Sequence, residues 1–229
     1  MKKVLNLLLA VTIIGLGYIC YRSIMGPIEF AEERSFREKA IIARLIDIRT
    51  AQVEYRNITK AGYCDNLDSL IEFVKTAQMP VILKEGELDD NQIFERKLTE
   101  KKAMEIINKA KKTNNWKEVE KEGLMGFRRD TTWIALLDTL YPKGYHIDSL
   151  SFVPFGNGTK FEVATSVDTT KAGSPQYLFE ARTPYEVYLT GVNDQELRNL
   201  ISDMKKMGRY CGLKVGDVEM PNNNAGNWE

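Results

Sequence analysis

Histidine is almost missing from this chain of 229 residues: His146 is the only one. Cysteine is scarce, with Cys20, Cys64 and Cys211 far apart, so no cluster has the spacing of a zinc site. Net charge is lacking as well, because 32 basic residues balance 32 acidic ones and no dense basic stripe interleaves with aromatics. Without that field a nucleic-acid backbone finds no counterpart, and nucleic acid is not an expected partner. Glycine-rich phosphate cradles are absent too. Gly156-Asn157-Gly158-Thr159-Lys160 is too short for one and reads as a hairpin turn. No Gly-x-Ser-x-Gly elbow accompanies His146, which sits in the turn-like string PKGYHIDSL. The acidic runs Asp89-Asp90 and Glu118/Glu120/Glu122 read as solvated faces. No catalytic residue, cofactor or metal is therefore expected, and the chain reads as non-enzymatic.

What the sequence does have begins at its N-terminus. Lys2 and Lys3 precede an apolar run from Val4 that meets no charge before Arg22 and is extended by Ile24 and Met25. At about 1.5 Å per residue such a run approaches the ~30 Å hydrocarbon core of a bilayer. A cleaved secretory signal starts the same way but ends at a small-x-small site, and none is evident; nor does a small residue stand directly before Cys20, as a lipoprotein signal requires. Residues 1–25 are accordingly expected to be a cytoplasmic N-terminus and transmembrane signal-anchor, with the bilayer as partner through residues 4–25. The lysines favour the N-terminus inside, against a weaker opposite vote from Arg22, Arg34 and Arg37.

Gly26-Pro27 is expected to break the anchor helix, since proline lacks an amide donor and disfavours helix before it. A second helix follows to about Thr59, where Ile41, Leu45, Ile48 and Tyr55 recur at helical spacing as a candidate stripe for a partner helix. Asp65-Asn66 offers an N-cap for a short helix over Leu67–Val74. Residues 26–76 thus form an amphipathic stalk helix and a short helix, and residues 77–229 an extracytoplasmic α+β domain. Strands are expected at Met79–Leu83, Leu124–Arg128, Thr132–Leu136, Ser149–Phe155, Lys160–Thr165, Tyr177–Ala181, Tyr185–Leu189 and Leu213–Val218. Helices are expected over Leu98–Lys112, capped by Thr99, and after Asn193. The fold class is α+β, a mainly antiparallel sheet with packed helices behind an N-terminal transmembrane helix.

Cys64 and Cys211 are a candidate disulfide in an oxidising compartment, or else two free thiols. Asp-Ser or Asp-Thr followed by an apolar residue or Thr occurs five times, with hydroxyls at Ser69, Thr131, Thr139, Ser149 and Thr169. That triplet resembles the O-glycosylation signal of Bacteroides-type bacteria; the same dipeptides are also ordinary turn and cap formers.

Two segments carry wider resemblances. AIIARLIDIRTAQVEYRNITKAGYCDNLDSLIEFVK resembles the stretch after the membrane helix in type IV pilin-like proteins and pseudopilins, over roughly residues 40–75. The basic leader, Gly-Phe cleavage point and early Glu of those families are not present. The C-terminal YCGLKVGDVEMPNNNAGNWE, with LFEARTPYEVYLTG before it, resembles an uncharacterised family of single-span envelope proteins of Bacteroidota. The resemblance implies a Gram-negative envelope location; with the signal-anchor reading, the expected placement is the bacterial inner membrane, single pass, with the C-terminal domain in the periplasm. The expectation is a scaffold or assembly subunit of a secretion- or pilus-like envelope complex, whose partners are other envelope proteins or further copies of itself. Two alternatives are a pseudopilin-like filament subunit and a surface-tethered glycan- or peptide-binding module using Trp133, Tyr185, Tyr188 and Trp228.

Overall fold

The computed structural model describes residues 2–169 and 173–229. Helix α1 runs from Lys2 to Thr59 without interruption, with Pro27 inside it. At the usual rise this is roughly 87 Å of helix. The break expected at Gly26-Pro27 does not occur. Proline removes one amide donor and crowds one carbonyl, at a cost of about 3 kcal/mol. On its C-terminal side the helix is packed into a core from Phe30 onward, and it continues through the proline.

Two compact units follow. The first holds residues 1–74 and 143–229. Its α1 half buries Phe30, Ile41, Leu45, Ile48 and Ala51, the last four with no exposed surface. After α1, Asn66 caps α2 (Leu67–Thr76) as expected, its Oδ1 accepting from the amides of Asp68 and Ser69 at 2.8 and 3.3 Å.

The second unit spans residues 75–142. Strand β1 (Gln78–Glu85) leads to a π-helical turn at Asn91–Glu95, then α3 (Glu100–Thr113), capped by Thr99 as expected, and α4 (Lys117–Lys121). The chain returns along β2 (Arg128–Ala135) into α5 (Leu136–Leu140). β1 and β2 form an antiparallel ribbon from Gln78 opposite Ala135 to Glu85 opposite Arg128. One strand therefore replaces the two expected at 124–128 and 132–136. Leu124 and Phe127 instead close a small core with Leu98, Ala103, Ile107, Ala110 and Val119.

Back in the first unit, β3 (Glu162–Thr169), β4 (Pro175–Pro184), α6 (Tyr185–Leu189), α7 (Asp194–Lys206) and β5 (Gly212–Gly216) complete the fold. The antiparallel sheet has the order β3-β4-β5. Central β4 places Phe179, Ala181 and Thr183 out of solvent, and α1 packs on β4, β5 and α6. Gly216 at the end of β5 has φ +74, and a Cβ there would stand 2.1 Å from the Phe179 carbonyl oxygen, so only glycine admits this approach.

Two expected strands are not strands. Residues 149–155 form turns after a 3-10 turn at Ile147–Ser149, with one bridge between Phe152 and Lys160. Tyr185–Leu189 is helical, because Pro184 ends the strand and the aromatic side chains pack as a helical turn beside α1. The α+β class, with a long apolar N-terminal helix and antiparallel sheets carrying packed helices, is as expected.

Candidate functional site

The stripe Ile41, Leu45, Ile48 is not a partner surface. All three are fully buried in the chain's own core, and half-buried Tyr55 stacks edge-on against Phe73 at 4.8 Å. Hydrophobic periodicity reports that a face is covered, and here the covering comes from the same chain. A different face stays open. Ile28, Phe36 and Ile46 are exposed by 45%, 62% and 37%, in line with exposed Ala31, Glu32, Ser35 and Lys39. Toward the N-terminus this face runs into Leu7–Ile24, whose large apolar side chains are all exposed. α1 is long and apolar enough there to cross a membrane, with a best window of mean hydropathy 1.8.

A collar of polar contacts fixes α1 to the sheet unit just beyond the span. Arg34 pairs with Glu38 at 2.7 Å and Arg37 with Glu33 at 2.6 Å, both one helical turn apart. Arg37 also donates to the Tyr188 carbonyl at 2.6 Å and lies over the Phe155 ring at 5.4 Å. Tyr188 donates to Glu38 at 3.4 Å, and burial raises its phenol well above the ordinary value. Deeper along α1, Tyr145 donates to Asp47 at 2.5 Å. Buried Gln52 clamps the turn after the helix: its Nε2 donates to the Cys64 carbonyl at 2.7 Å and its Oε1 accepts from the Cys64 amide at 2.9 Å. These groups bind one element to another.

The other expected residues fall as follows. Cys64 and Cys211 are both free, so the disulfide is not made; Cys64 is buried, and Cys211 lies near the carbonyls of Ile201 and Arg209. Ser69, Thr131, Thr139 and Thr169 are exposed, whereas Ser149 is half-buried and accepts from Arg44 at 2.7 Å. Thr170, the third residue of its triplet, lies outside the described residues. Ser149 donates to the backbone carbonyl of exposed His146, not to its imidazole. Lys160 is held by both carboxylate oxygens of Asp68. Among the described residues no three metal-ligating side chains come together. Of the four aromatics, Tyr185 and Tyr188 belong to the core, Trp228 is half-buried, and Trp133 is 61% exposed.

Sequence reasoning missed the charge chain on the outer face of the sheet. Glu180, its side chain only 6% exposed, is met by Lys214 at 2.9 Å and Arg182 at 3.2 Å; Lys214 also holds Asp217 at 2.8 Å, and Arg182 holds Glu162 at 2.9 Å. Their alternation on neighbouring strands was the available signal, once the register was known. Fold and site together define, among the described residues, one membrane-capable helix built into an α+β unit. Comparison with protein-family models, with curated proteins and with solved structures finds no match.

Proposed function

We propose that this chain is a non-catalytic assembly subunit of a bacterial envelope complex, spanning the inner membrane once and holding its folded part in the periplasm. The observation that carries the reading is the open face Ile28–Ile46 of α1, continuous with the exposed apolar half of the same helix. An apolar face left uncovered beside a covered one is the usual mark of a surface that another chain completes. The collar of Arg34, Arg37, Glu38 and Tyr188 supports a rigid joint, so that an anchor and the unit above it are presented to neighbours as one body. Photo-crosslinking in native membranes from Ser35, Lys39 and Ala43, all exposed, tests it. Covalent products heavier than the monomer are expected from at least two of the three positions. Monomer alone at all three overturns the reading.

A pseudopilin-like filament subunit is the second reading, favoured by the unbroken passage of α1 through Gly26-Pro27. It requires removal of the N-terminus, and an intact mass with Met1 retained eliminates the processed form. The binding-module reading now rests on Trp133 alone among the exposed aromatics it invoked.

A further inference from the structure

Where α1 meets the end of its apolar segment, the first unit forms a cleft of about 430 Å³. One wall is a single helical face, Tyr18, Arg22, Met25 and Glu29, together with Tyr21; the other is the loop Gly191–Asp194 ahead of α7. The loop lies directly on the helix, since a Cβ at Gly26 would stand 3.5 Å from Asn193 Nδ2. Asn193 already caps α7 with its side chain, so the cleft offers its other polar groups to something else. From Val4 to Arg22 the helix rises about 27 Å, which sets Arg22 at the level of the phosphates when the apolar run fills the hydrocarbon. Tyr18 and Tyr21, both more than 60% exposed, sit in the interfacial zone that tyrosine favours.

The charges in this cleft have a definite pattern. Arg22 is the only cation among its lining residues, Glu29 follows it two helical turns farther from the apolar run, and Asp194 lines the facing loop. Farther along α1 the acidic residues Glu33 and Glu38 are taken by Arg37 and Arg34, whereas Arg22, Glu29 and Asp194 hold no ion pair among the described residues. A guanidinium matches a phosphate, and two carboxylates just beyond it match an ammonium with N–H donors. We infer that the cleft binds the headgroup of a zwitterionic phospholipid with a primary amine, phosphate on Arg22 and ammonium between Glu29 and Asp194. A phosphatidylglycerol headgroup supplies no cation for the carboxylates, and a choline headgroup supplies no N–H. The inference rests on the reading of α1 as a membrane anchor.

The test is native mass spectrometry of the full-length chain released from detergent micelles containing equal amounts of phosphatidylethanolamine, phosphatidylcholine and phosphatidylglycerol. Phosphatidylethanolamine adducts are expected to exceed each of the others at least threefold, and Arg22→Gln should abolish the excess. The double variant Glu29→Gln/Asp194→Asn leaves Arg22 alone and should shift the preference to phosphatidylglycerol, a change that misfolding does not produce. Equal retention of the three lipids by the wild type, or an unchanged ranking in both variants, overturns the inference. Flotation of the same chain with phosphatidylcholine vesicles is the separate readout of anchoring. A chain that floats without headgroup preference loses the headgroup site and keeps its anchor; one that fails to float loses the anchor reading itself.

Discussion

Replacing Gln52 with leucine removes the two hydrogen bonds that tie the chain to α1 just after it leaves the helix. Leucine is close to glutamine in volume, so the change opens little cavity, and what it strands is the amide and carbonyl of Cys64. Gln52 has no exposed surface and Cys64 is 6% exposed, so water does not reach in to replace the lost partners. A buried polar group left unpaired costs about 1–3 kcal/mol, and there are two of them. Burying an apolar side chain in place of the amide returns about 1–2 kcal/mol, leaving a net loss of roughly 1–4 kcal/mol. For a chain of this size that corresponds to a Tm lowered by roughly 2–16 °C. The assay is thermal unfolding of the full-length chain in one detergent, followed by circular dichroism, with hydrogen exchange at the Cys64 amide as the local readout. Gln52→Glu sharpens it: the carboxylate still accepts from the Cys64 amide but faces the carbonyl with no proton, so its defect should shrink as acid restores a donor. A Gln52→Leu variant that melts with the wild type and keeps its Cys64 amide protected would refute the argument.

Four further outcomes are expected. Alkylation of the denatured chain without reductant should modify all three cysteines, and in the native state Cys64 should react more slowly than Cys211 because it is buried and burial also pushes its pKa up; a mass two hydrogens light would show a disulfide instead. Lys214→Met should destabilise by about 1.5–3 kcal/mol, since it removes one charged hydrogen bond from the buried Glu180 carboxylate and leaves Arg182 as its one cation, and Lys214→Arg should recover most of the loss. In the same network the hydrogen bond from Lys214, working against burial, holds Asp217 below the usual carboxylate range, so its stabilisation is complete above the ordinary value of about 3.9 and is lost as pH falls through the lower folded value. Asp217→Asn should therefore flatten the acid limb of stability below about pH 4. At the alkaline end burial raises Tyr145, Tyr188 and Tyr210, the last to about 12 against the pull of Arg182. Their contribution is full below the ordinary tyrosine value of about 10 and lost as pH rises beyond it, so tyrosinate absorbance should appear late and together with unfolding. An early, reversible rise from all ten tyrosines would contradict the burial.

Local signals in this chain were strong wherever a few neighbouring residues settle the matter. The uncharged run before Arg22 identifies a membrane-capable helix because hydrocarbon tolerates no unpaired backbone, whatever the rest of the chain does. Asn66, Thr99 and Asn193 each announced a helix start through an oxygen that reaches the amides two or three residues on. The apolar positions Ile41, Leu45 and Ile48 were equally plain as a buried stripe.

What periodicity leaves open is who does the burying. Only the folded chain decides that β4 and β5 cover this stripe and that the free face lies around Ser35 instead. Pro27 inside α1 and helical Tyr185–Leu189 have the same cause, since the packing of whole elements overrides local preferences worth about 1 kcal/mol at Tyr185–Leu189 and about 3 kcal/mol at Pro27. The Gln52 clamp joins residues 12 positions apart, and the Glu180–Lys214 pair joins residues 34 apart. Whether such polar groups are satisfied or stranded depends on where water has been excluded, and that is a property of the assembled core and not of any stretch of sequence.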